Sequence, residues 1–121
     1  MSTHKATCHC GAVELELHLA GDVADPERCD CSFCRRRAAP NISVALDDLR
    51  VVRGSAALSL YTWNTGAAKH YFCKHCGIYT HHQRRSNPHE YGVNLGCIEG
   101  QNPVDFEPIP WGDGVNHPSD V

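Results

Sequence analysis

Cys29-Asp30-Cys31-Ser32-Phe33-Cys34, followed at once by Arg35, Arg36 and Arg37, is the most chemically dense stretch of the 121-residue chain. Three thiols spaced C-x-C-x2-C can converge on one ion without help from elsewhere. Two further pairs bracket them, Cys8-x-Cys10 near the start and Cys73-x2-Cys76 past the middle. Together the outer pairs make a closed four-thiolate site, and the central trio makes a second site one ligand short. Zinc held by four protein ligands is structural as a rule, whereas three ligands leave a position for water or substrate.

The alternative use of eight cysteines is a disulfide framework. The opening Met1-Ser2-Thr3-His4-Lys5 has no apolar core of the kind a secretory signal carries, and no apolar run approaches a membrane span. The expectation is a cytoplasmic protein, and in a reducing compartment clustered cysteines bind metal more often than they bridge. Leu, Ile, Val and Phe number 24 of 121 residues, so the core is thin and a metal staple is valuable. The formal charge of −3 and only nine aromatic residues argue against a nucleic-acid footprint. No partner is expected in nucleic acid or membrane. Arg35–Arg37 and Arg84–Arg85 are local clusters, and the triple arginine is readable as a solvated face, as a counter-charge for the nearby thiolates or as an anion-attracting rim.

Outward from the cysteines the chain reads as strands. Val13, Leu15, Leu17 and Leu19 alternate with Glu14, Glu16 and His18, the pattern of a half-buried strand leaving the first knuckle. Further strands are predicted over 42–46, 50–53, 58–63, 69–72, 78–82 and 91–95. A short helical turn after Cys34 is stopped by Pro40, and Asn64-Thr65-Gly66 closes a hairpin. The fold class is mainly β, with small antiparallel sheets stapled by zinc knuckles and little helix. Residues 1–121 form one zinc-binding domain, with its motifs inside 7–100 and a proline-rich tail over 101–121 that wraps without regular structure.

The two sites are expected to differ in task. Cys8, Cys10, Cys73 and Cys76 would clip the chain's start to its later half through a structural zinc. Cys29, Cys31 and Cys34 would hold a second zinc, giving two per chain, with the open position available to an incoming thiol, since zinc deprotonates a coordinating thiol. Cys97 either folds back to close this second site or is a small buried hydrophobe. His81 and His82 are adjacent on a strand, so one faces inward and one outward. The inward one is the candidate general base.

At these residues the chain resembles the glutathione-dependent formaldehyde-activating enzyme family. The likeness rests on Cys8-His9-Cys10-Gly11-Ala12-Val13, Cys29-Asp30-Cys31-Ser32-Phe33-Cys34-Arg35, His70-Tyr71-Phe72-Cys73-Lys74-His75-Cys76-Gly77 and Gly92-Val93-Asn94-Leu95-Gly96-Cys97-Ile98-Glu99. The resemblance implies a zinc-bearing β-tent, a structural zinc on the outer pairs and a catalytic one on the trio. It implies a carbon–sulfur lyase that joins glutathione to formaldehyde as S-hydroxymethylglutathione, with a small-molecule thiol and an aldehyde as partners. Arg35 and Arg36 would meet glutathione's carboxylates. The run Arg35-Arg36-Arg37-Ala38-Ala39-Pro40-Asn41 departs from the glycine-containing, more aromatic stretch associated with the named enzymes. The competing reading is a binding module in which both zincs are structural and Cys97 completes the second.

Overall fold

In the computed structural model, which describes residues 1–116, ten strands form two antiparallel sheets and a short parallel pair. β1 (Ser2–Thr7), β2 (Glu14–Leu19) and β5 (Leu49–Arg53) form one antiparallel sheet in the order β1-β2-β5. β4 (Asn41–Ala45), β6 (Leu58–Tyr61), β7 (Lys69–Cys73), β8 (Tyr79–Gln83) and β9 (Glu90–Asn94) form the larger one, ordered β4-β9-β8-β7-β6. The predicted alternation of β2 is realised: Leu15, Leu17 and Leu19 are buried, whereas Glu16 turns outward to pair with His18 and Arg50. The inward leucines share one apolar cluster with Ile42, Val44 and Val93 from the larger sheet and Leu95 just after β9. Burial of such side chains contributes about 1.5–3 kcal/mol each.

The one α-helix among the described residues, α1 (Cys34–Arg37), ends at Ala38 in a left-handed conformation, two residues before Pro40. Three differences from the sequence reading stand out. Residues 2–7, which carry no apolar alternation, form a strand because β2 offers an edge to pair with, and only Ala6 of that strand is buried. The tail is not wholly irregular. Pro103–Phe106 makes a 3-10 turn, and β10 (Trp111–Gly112) pairs in parallel with β3 (Arg28–Cys29). A two-residue strand leaves no periodic signature, and this one depends on a partner more than 80 residues away. The end of the predicted tail, 117–121, lies outside the described residues.

The third difference is in β8. His81 and His82 are both buried, because each face of this central strand is covered. His81 stacks on Tyr71 and meets the edge of Tyr91, whereas His82 stacks on His70. Thr80 is an extra residue in the ladder with β7, a bulge that brings Tyr79 and His82 into contact despite their spacing of three.

Candidate metal centre and cleft

The two outer cysteine pairs come together although 62 residues separate them in sequence. Each sits on a turn closed by a glycine of positive φ, Gly11 at 82° and Gly77 at 77°, a conformation that side chains other than glycine's rarely tolerate. The turns aim amides and sulfurs inward: Gly77 N donates to Cys73 O at 2.8 Å, and Val13 N donates to Cys8 Sγ at 3.3 Å. Cys10 Sγ lies 3.7 Å from both Cys8 Sγ and Cys73 Sγ. Four sulfurs at 2.3 Å from a central ion define a tetrahedron with edges of about 3.8 Å. The donors therefore fit a thiolate-loving ion such as zinc, and they are far too distant for disulfides, which need about 2.05 Å. The backbone amides of Cys10 and Ile78 draw the Cys76 thiol down to about 6.

Cys29, Cys31 and Cys34 form the second cluster, all three sulfurs within 4.8 Å of one another. Cys29 ends β3 and Cys34 begins α1, with Cys34 N donating to Cys31 Sγ at 3.2 Å. A hydrogen bond from Cys34 pulls the Cys29 thiol down to about 5, and the same bond together with burial pushes Cys34 up. Cys97 belongs to neither cluster. It lies in the apolar core, donates to Tyr79 O at 3.5 Å, and burial pushes its thiol up to about 12.

Of the three consecutive arginines, Arg35 and Arg36 are exposed and lie outside the wall of the neighbouring cleft. Arg37 turns inward instead, because i and i+3 share one side of a helical turn and Cys34 is at i. Its guanidinium donates to Cys34 Sγ at 3.7 Å and to His70 Nδ1 at 3.1 Å, and stands 3.5 Å over the Tyr79 ring. The counter-charge that the arginine run offered to the thiols falls on Arg37 alone of the three. The spacing from Cys34 is the signal that could have singled it out.

The trio opens into a cleft of about 350 Å³, within the range of small-molecule sites. His70, His82 and Trp63 line it, along with Arg84 and Arg85 on one side of its charge balance and Asp25, Glu27 and Glu90 on the other. Residues 112–114 of the tail also line it. Arg84 pairs with Glu90 at 3.1 Å and donates to Ser43 Oγ at 3.1 Å.

The two cleft histidines have different tautomers for reasons visible in their partners. Arginine can only donate, so His70 Nδ1 is an acceptor and its proton sits on Nε2. Asn41 is oriented by Nδ2 donating to Ala39 O, which presents Oδ1 to the Tyr79 hydroxyl at 2.6 Å. Gly92 O is a second acceptor for the same hydroxyl at 3.2 Å, and with its one proton directed to these oxygens Tyr79 accepts from His82 Nδ1–H at 2.5 Å. His82 Nε2 is left as a lone-pair acceptor with no hydrogen bond among the described residues. Burial lowers both histidines, His70 to about 4 and His82 well below its ordinary value, with Arg37 adding to the effect in each and Arg84 in His82. Both are neutral at pH 7.

The family model described as glutathione-dependent formaldehyde-activating enzyme matches residues 3–109, most of the chain and every cysteine in it. The chain belongs to that family. A crystal structure of a Rhodobacter sphaeroides protein is 61% identical, with a TM-score of 0.86 over 89% of this chain and 99% of that one. The three-cysteine cluster of this family member stands beside a cleft lined largely by polar side chains. No helix among the described residues is long and apolar enough to cross a membrane.

Proposed function

We propose that the protein catalyses reversible addition of glutathione to formaldehyde, giving S-hydroxymethylglutathione, at the cleft beside Cys29, Cys31 and Cys34. The observation that carries this reading is a three-sulfur cluster opening into a cleft that holds one proton-donating and one proton-accepting neutral histidine. Zinc fits both clusters by donor chemistry, two ions per chain, and at the trio it would supply the Lewis acidity that keeps an incoming thiol as thiolate.

The chain's own residues handle orientation and protons. The thiol's proton passes to His82 Nε2, whose lone pair the Tyr79–Asn41 pair holds toward that role. As the sulfur–carbon bond forms, the carbonyl π bond opens onto oxygen. His70 Nε2–H hydrogen-bonds that oxygen, and the proton held on His82 completes the new hydroxyl. No oxidant or reductant is consumed. Arg37 offsets the negative charge accumulated by three thiolates and a fourth sulfur. A tripeptide with two carboxylates and one ammonium complements a cleft of mixed charge, with Arg84 and Arg85 taking the rim role expected of Arg35 and Arg36. A reducing compartment such as the cytoplasm supplies both the free thiol and reduced cysteines.

The binding-module alternative required Cys97 to complete the trio, and the placement of Cys97 in the core speaks against it. The test is the exchange rate between glutathione, ¹³C-formaldehyde and their adduct, measured by NMR. Saturable acceleration by the purified protein, lost in Cys31→Ser, is expected. An exchange rate equal to the uncatalysed one at all protein concentrations sinks the proposal.

A further inference from the structure

The family match ends at residue 109, yet the chain beyond it returns onto the three-cysteine site. Arg28 N donates to Pro110 O at 2.9 Å and Asp30 N donates to Gly112 O at 3.1 Å, fixing β10 alongside β3. Asp30, the spacer of the Cys29-x-Cys31 pair, then binds the segment from its side chain. Its Oδ1 accepts from Gly114 N at 2.7 Å and from Val115 N at 3.3 Å. A second anchor lies upstream, where Arg28 forks onto the Glu107 carboxylate at 3.1 and 3.3 Å with its guanidinium 5.5 Å from the Trp111 ring centre.

This path lays Gly114 against the Cys29 sulfur and the Cys31 backbone and Cβ. A methyl group on its Cα would overlap Cys29 Sγ and stand 2.8 Å from Cys31 Cβ and 2.9 Å from Cys31 N. The requirement is one of space, since the neighbours are two candidate ligands and a backbone amide that cannot swing aside. Gly112, Asp113 and Gly114 meanwhile line the cleft. The tail is thus wall to both the metal cluster and the ligand space.

We propose that residues 110–114 form a strap that positions the Cys29 and Cys31 sulfurs and closes one side of the trio, so that a fourth ligand enters only from the cleft. Gly114 is the position whose bulk decides whether the site holds an ion and a thiol together, and Asp30 is the positioning residue that ties the strap down. The inference rests on the reading of the trio as a metal site.

The test is zinc per chain in wild type, Gly114→Ala, Asp30→Ala and Asp30→Asn, with chelator-driven release and the thiolate-to-metal absorption of the cobalt-substituted proteins. In Gly114→Ala, zinc is expected to fall from near two to near one, with the four-thiolate cobalt bands intact. In Asp30→Ala, which adds no bulk, one of the two zincs is expected to be lost to chelator about 10–100-fold more readily, the usual cost of removing an outer-shell partner. Asp30→Asn keeps an acceptor oxygen and is expected to restore most of that loss. A wild-type count of one overturns the metal reading and the strap with it. A wild-type count of two with Gly114→Ala and Asp30→Ala unchanged overturns the strap alone. Asp30→Asn behaving like Asp30→Ala overturns the positioning role assigned to the two amide bonds.

Discussion

The four-cysteine clip and the three-cysteine site use the same ligand chemistry in opposite surroundings. The clip is built from two glycine-closed turns, with Cys8 and Cys73 in the apolar core, and no cleft residue or arginine contacts its sulfurs among the described hydrogen bonds. The trio sits between a helical turn, a two-residue strand and the returning tail, with Arg37 on Cys34 and a polar cleft beside it. One cluster joins distant parts of the chain. The other brings three sulfurs to the edge of a space sized for a small molecule. The task of a cysteine cluster is therefore set by how many sulfurs it has and by what its neighbours leave open.

The comparison breaks most visibly if the two clusters respond alike to loss of one sulfur. Cys73→Ala removes a fully buried ligand from the clip. Structural zinc contributes roughly 10–16 kcal/mol in small peptides, comparable to a domain's entire stability of about 5–15 kcal/mol. The variant is expected to be insoluble, or to lose cooperative melting and amide dispersion. Cys31→Ser in the trio is expected to remain folded, with a melting temperature within about 5 °C of wild type, equivalent to a change of order 1 kcal/mol, and to retain a single zinc. A Cys73→Ala protein that melts like wild type would falsify the division of labour.

Acid adds a second contrast, between the clip and the buried histidines of β7 and β8. His70 and His81 have folded-state values near 4 against an unfolded value of about 6.5. Between those limits the unfolded chain binds more protons, so stability rises with pH there. Their contribution is complete above pH 6.5 and is lost as pH falls toward 4. Melting temperature measured from pH 7 to 4, with zinc content followed in the same samples, is expected to decline before zinc leaves the clip. A flat profile down to pH 4.5 contradicts the burial of neutral histidines.

The smallest effect is expected at the arginine run. Arg35→Ala, on the exposed side of α1, should change stability by less than about 0.5 kcal/mol and leave zinc content and adduct exchange unaltered. Arg37→Ala in the same assays should weaken retention of the trio's ion. If Arg35→Ala disabled exchange instead, the rim would have to be moved back onto α1.

Both cysteine clusters, the alternation of β2 and the hairpin at Asn64–Gly66 were legible in the sequence, because ligand spacing, period-two burial and turn chemistry are local properties. The pairing of Cys8 and Cys10 with Cys73 and Cys76 also followed from counting ligands. What the sequence could not determine is which groups meet across the fold. Arg37 differs from Arg35 and Arg36 only by its position on one helical turn. The contact between Tyr79 and His82 depends on a bulge at Thr80 that resets the alternation. The tail reaches Cys29 through two backbone bonds, one aspartate and the missing side chain of Gly114. Those contacts arise only when segments distant in sequence are packed together, so the identity of the ligands belonged to the sequence and the shape of their open side to the tertiary structure.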